Sequence, residues 1–123
     1  MSQASRHAVT LVTDGSGAAT GYTDTVTGRV LTARYVKTDF TDGVVFTITS
    51  EATGETIWTQ TAVNASVTVA PRQPTHTTAG VASLYAAAGV AVNDYVGLAT
   101  DRIKVAISSG GSTHTGTFYF LIG

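Results

Sequence analysis

Residues 44–61 read VVFTITSEATGETIWTQT, and their pattern decides the fold. In the first run Val44, Phe46 and Ile48 alternate with Val45, Thr47 and Thr49, a period of two that suits a strand with one buried face. β-Branched and aromatic residues fill both halves; they fit a pleated surface and lose χ1 freedom in a helix. Between the halves EATGE (51–55) turns the chain through Thr53-Gly54. The stretch therefore predicts an antiparallel hairpin of strands 44–50 and 56–61. Trp58 stands mid-strand, where a core position is expected.

Outward from this hairpin the same texture recurs. Strands are expected at 7–13, 18–25, 28–36, 65–70, 95–99, 102–108 and 116–122, with DGSG (14–17) a strong turn. In GRVLTARYV (28–36), Leu31, Ala33 and Tyr35 are expected on the core side. Threonine is the compositional signature, with 23 copies. Only 80–94 has helical character, and its glycines and valines limit it to about two turns. Eight or nine short strands at this spacing predict an all-β sandwich or small barrel. The long crossover from 65–70 to 95–99 favours a β-sandwich of jelly-roll or Greek-key type, with at most one short helix, over a meander. A single domain is expected over 1–123, with residues 1–6 a flexible N-terminal arm.

Composition narrows the function classes. Charged residues are 12% of the chain and the formal net charge is −1. The seven basic residues are scattered singly from Arg6 to Lys104, which argues against nucleic acid as a direct partner. A weakly charged surface also suits a partner-covered state. With no cysteine, neither a disulfide framework nor a thiolate metal site is available. No apolar run reaches the length of a membrane span, and no signal peptide is expected.

Catalytic and metal motifs do not emerge. None of His7, His76 and His114 lies in a nucleophile-elbow setting, and no two lie close enough in sequence for the usual paired zinc ligands. TDFTDG (38–43) offers two carboxylates only, and Asp39 and Asp42 read as turn initiators. SGGS (109–112) has no helix behind it to hold a phosphate. NAS (64–66) fits a glycosylation acceptor, and without a secretion signal it reads as coincidence. No catalytic residue, cofactor or metal is expected.

One loop stands apart. APRQPTHTTAG (70–80) holds both prolines of the chain together with Arg72, Gln73 and His76. The prolines favour extended polyproline structure over 71–74, with no hydrogen bonds to a sheet at those positions. Downstream, Leu84, Tyr85 and Ala86–Ala88 put apolar surface where solvated loop is the norm. Arg72, Gln73, His76 and Tyr85 are the expected contact residues, with Arg72 suited to a carboxylate on a neighbour. The alternative is a crossover that bonds within its own chain.

The succession PRQPTHTTAG (71–80), VND (92–94), DRIKVAISSGG (101–111) and GTFYF (116–120) resembles a group of small tailed-bacteriophage virion proteins, over nearly the whole chain from about residue 7. The resemblance implies a β-sandwich structural subunit and carries over no catalytic residue. It implies a capsid decoration (cement) protein, made in the host cytoplasm and residing in the virion. Its implied partners are copies of itself, with a trimer the leading expectation, and the major capsid protein. A head–tail connector or tail component is the alternative within the particle. A small carbohydrate-binding module or hydrolase of sandwich fold is the alternative outside it.

Overall fold

The structure, a computed structural model, describes residues 4–123. Ten strands follow in order: β1 (Ser5–Val12), β2 (Ala19–Tyr22), β3 (Val26–Val36), β4 (Val44–Ser50), β5 (Thr56–Val63), β6 (Val67–Val69), β7 (Arg72–Pro74), β8 (Asn93–Asp101), β9 (Ile103–Ser108) and β10 (Thr115–Ile122). No helix occurs among the described residues, so nothing there is a helix able to cross a membrane. The expected arm over 1–6 is corrected at its end, because β1 already pairs Ser5 and Arg6 with Ile122 and Leu121. Met1–Gln3 lie outside the described residues.

Two antiparallel sheets pack face to face. One runs β1-β10-β3-β8-β7, with β6 also on β3; the other runs β2-β9-β4-β5. The chain alternates between sheets so that β1, β10, β3 and the β6/β8 line oppose β2, β9, β4 and β5. That interleaving is the jelly-roll arrangement expected from the long crossover. The 44–61 hairpin forms as read: the Ser50 N–H donates to the Glu55 carbonyl, the Gly54 N–H donates to the Ser50 carbonyl, and Gly54 takes a φ of 76° that glycine adopts without strain.

The core is aromatic where the sheets meet. Phe46 of β4 lies 4.6 Å from Trp58 and 5.1 Å from Phe118, both edge-on, and Tyr35 of β3 lies 5.4 Å from Phe46. These rings bridge the sheets at spacings where aromatic pairs add about 0.5–1.5 kcal/mol beyond their burial. Phe40, inside the polar run TDFTDG, stacks 6.2 Å from Tyr35 and closes one end of the sandwich. Gly116 lies against the Phe40 ring, which a Cβ there would strike.

One core face departs from expectation. Ala33 and Tyr35 are buried as read, but the third buried residue of that stretch is Val30, not Leu31. The cause is a bulge: Leu121 pairs with Thr32, yet Ile122 pairs with Val30, so Leu31 is the extra residue and the alternation slips by one. A slip of one residue exchanges the two faces of a strand.

Tyr35 presents a test. Its side chain is fully buried and its hydroxyl has no hydrogen-bond partner among the described residues. Burial, assisted by the nearby Asp42 charge, pushes the phenol above its ordinary pKa. An unpaired buried hydroxyl carries a desolvation penalty of about 1–3 kcal/mol. Tyr35→Phe is expected to leave stability unchanged or raise it by about 1 kcal/mol in urea unfolding; a loss larger than that would mean that the hydroxyl is bonded.

Candidate functional site

The proline loop opens a long excursion from the flank of β3. On that flank β6 pairs Val67, Thr68 and Val69 with Tyr35, Arg34 and Ala33, while β8 pairs Val96, Gly97 and Leu98 with Val30, Arg29 and Gly28. Both segments run antiparallel to β3, so they are two halves of one strand line. Residues between Ala70 and Tyr95 are an insertion in that line. Pro71, buried, marks the exit.

The insertion is ordered by its own backbone. Arg72–Pro74 pairs with Asn93–Tyr95, making β7 the outermost strand of the sheet. This corrects the expected free polyproline segment. Proline lacks an N–H, so it suits an edge strand with one side unpaired, and Arg72 and Gln73 keep theirs. Beyond β7 the backbones of Thr75, Ser83 and Val92 tie together: Thr75 donates to Val92, Ser83 to Thr75 and Val92 to Ser83, at 2.7–2.8 Å. Two small loops project from this tie, one closed by the Gly80 N–H on the Thr77 carbonyl, the other by the Gly89 N–H on the Ala86 carbonyl. Two tight turns take the place of any helix.

The four expected contact residues divide. Arg72 is held within its own chain: its guanidinium lies 3.9 Å from the centre of the Tyr95 ring, and Nη1 donates to the Pro71 carbonyl at 2.8 Å. The same Nη1 is 3.5 Å from the Leu31 carbonyl, on the stretch of β3 between its two partners. Gln73 is exposed opposite Asp94, and His76 is exposed opposite Ala82. Tyr85 is 76% exposed. Around it Val81, Leu84 and Val90 are also exposed, so among the described residues four of the six large exposed apolar side chains sit on this one excursion. Gln73, His76 and Tyr85 do not converge on a common point.

The other polar clusters are structural in geometry. His7 Nδ1 is 2.7 Å from Asp24 and His114 Nδ1 is 2.9 Å from Asp39, far apart in the fold, each with a single carboxylate. Asp39 is therefore not the turn initiator expected; it anchors His114 and also lies 3.4 Å from the Thr115 N–H. The His114 hydrogen bond, foremost, holds the Asp39 carboxyl below the ordinary range. Asp42 does sit in the expected turn, beside Gly43 at a φ of 87°, and pairs with Lys37. Within NAS, Asn64 Oδ1 accepts from the Gly43 N–H and Ser66 Oγ from the Lys37 N–H, so both clamp a corner. Among the described residues no three His, Asp or Glu side chains converge to hold a metal ion.

Three further carboxyl groups, Asp14, Glu51 and Asp101, are shifted in the same direction as Asp39. Asp14, held by the Ala18 and Ser16 N–H groups, and Glu51, held by Arg102, both lie below their ordinary pKa. Asp101 is lowered chiefly by the Ser50 hydroxyl, then by the N–H groups of Ala52 and Arg102 at 3.0 and 2.7 Å. A general acid near neutrality needs the opposite direction.

A further grouping was not legible in the sequence. Arg6, the β3 pair Arg29 and Arg34, and Arg72, from three separate segments of the chain, all lie on the outward face of the larger sheet. Arg29 and Arg72 flank Tyr95 at 4.9 and 3.9 Å, and Arg6 is 5.9 Å from the Tyr119 ring. None of the four makes an ion pair among the described residues, whereas Lys37 and Arg102 do. Compared with known proteins, the chain matches no family model, no curated protein and no solved structure.

The Asp101 corner yields an acid test. A carboxyl with a lowered folded pKa contributes stability above its unfolded pKa, and that contribution is lost as pH falls through the folded value. Asp101→Asn is therefore expected to melt below the wild type at pH 6, with the gap closing as pH falls below the ordinary aspartate pKa of about 4. A gap independent of pH would assign the loss to shape alone.

Proposed function

We propose that this jelly roll is a non-enzymatic virion subunit, a decoration protein that sits on a capsid lattice and clamps adjacent capsomers. The observation that carries this reading is the insertion at 71–92. It is internally tied, stands off the edge of the sandwich, and concentrates Val81, Leu84, Tyr85 and Val90 at its surface. Exposed apolar side chains gathered on a pre-ordered element lower the entropy lost on docking, and large apolar and aromatic groups dominate binding once covered. The resemblance of 71–80, 92–94, 101–111 and 116–120 to small phage virion proteins supports the location. A homotrimer is part of the proposal, since closed cyclic symmetry is the norm for homo-oligomers and matches threefold lattice positions.

On this reading Tyr85 and Leu84 make the contact, while Arg72 braces the root of the arm against Tyr95. Joint substitution Leu84→Ser and Tyr85→Ser is expected to leave unfolding stability within about 0.5 kcal/mol, since both side chains are exposed. The same substitution is expected to cut incorporation into particles at least about tenfold, a loss of roughly 1.4 kcal/mol of contact. Normal incorporation would overturn the arm as the contact. Copy number per particle checks the decoration role: hundreds support it, and a dozen or fewer would move the subunit to the connector or tail.

The strand-line geometry adds a second expectation. Excising 72–95 and joining Pro71 to Val96 should leave a cooperatively melting β protein that no longer incorporates. Loss of the fold on excision would show the arm to be core packing instead.

A further inference from the structure

The outward face of the larger sheet carries a groove of about 460 Å³, lined by Arg6, Thr32, Arg34, Thr68, Tyr119 and Leu121. Its floor follows from register. Phe118, Phe120 and Ile122 of β10 are buried, so Tyr119 and Leu121 face out between β1 and β3. Arg6 stands beside Leu121 on one side, and Arg34 stands beside Tyr119 on the other. Thr32 and Thr68 extend the wall, with Arg34 Nη1 3.5 Å from the Thr68 hydroxyl. No carboxylate lines the groove.

We propose that this groove binds an acidic saccharide, a sugar unit bearing a carboxylate. Two guanidinium groups without carboxylate partners, on a molecule whose net charge is −1, are an anion site left open while Lys37 and Arg102 are neutralised. Guanidinium presents a planar fork of donors that matches a carboxylate bidentately. The remaining lining is what a sugar ring needs: the apolar surface of Tyr119 and Leu121 for its C–H face, and threonine hydroxyls that donate to and accept from its hydroxyls. An acidic peptide would use the arginines but has no need of paired hydroxyls. A nucleic-acid strand would want cations along several successive phosphates, and this groove offers Arg6 and Arg34 alone. The groove lies on the sheet face and does not include the 71–92 arm, so this site is independent of the assembly role.

The test is titration of the whole protein with digalacturonic acid, followed by calorimetry or amide chemical shifts. The neutral disaccharide galactobiose, an oligoglutamate peptide and single-stranded oligonucleotide serve as the other probes. Digalacturonic acid is expected to bind, weakening as salt is raised, with galactobiose at least about tenfold weaker. Arg6→Gln and Arg34→Gln are each expected to weaken binding about tenfold, while Lys104→Gln, on the other sheet, leaves it unchanged. Thr68→Val should weaken the saccharide and not a simple carboxylate such as acetate, a readout that loss of charge alone would not give. Unchanged melting of each variant separates a lost site from a lost fold. Equal binding of the neutral and acidic disaccharides, tighter binding of the peptide or oligonucleotide, or equal loss in Lys104→Gln would overturn the proposal.

Discussion

The backbone of β3 must be paired along both flanks, and most of the architecture follows from how that is done. A strand inside a sheet cannot leave a row of N–H and C=O groups unpartnered without losing several hydrogen bonds at once. On one flank β10 serves the length from Val30 to Val36. On the other, β6 serves Ala33–Tyr35 and β8 serves Val26–Val30, with a long insertion between them. The insertion must leave and return at adjacent points of one strand line. That closure fixes its root and frees its tip.

The tip has few local demands on it, so its composition can answer to something other than folding. Backbone bonds among Thr75, Ser83 and Val92 hold the root, and two glycine-bearing turns shape the ends. The apolar side chains Val81, Leu84, Tyr85 and Val90 contribute little to the core, which is complete in the aromatic set around Phe46. Arg72 and Tyr95 stack at the root and stiffen the hinge between sheet and arm. The buried core and the exposed apolar side chains of the excursion are thus lodged in separate residues of one domain.

Charge is partitioned in a similar way. Lys37 and Arg102 are spent on Asp42 and Glu51 around turns, and His7 and His114 are matched to Asp24 and Asp39. Exposed pairs of this kind are individually weak and chiefly hold loop geometry. The four arginines on the outer sheet face have no such duty; Arg6, Arg29 and Arg72 lie over tyrosine rings instead, and Arg34 beside the Thr68 hydroxyl. Stacking leaves the guanidinium edges free to donate.

Local pattern alone determined the strand segments, the 44–61 hairpin, the buried Trp58 and the sandwich, because alternation, β-branching and Gly turns act within a few residues. The long crossover between 65–70 and 95–99 even pointed to the jelly roll. Tertiary structure alone decided what depends on pairing between distant strands. The bulge at Leu31 exchanged it for Val30 in the core, since the slip arises where β10 meets β3 and leaves no mark in GRVLTARYV. Phe40 was hidden in a polar loop, where a lone large aromatic was the one available signal. Arg72–Pro74 joined a sheet edge because β8 was there to pair with it. Arginines scattered singly through the chain became one face because register, set by hydrogen bonds across β1, β10, β3 and β8, aligns residues that sequence keeps far apart.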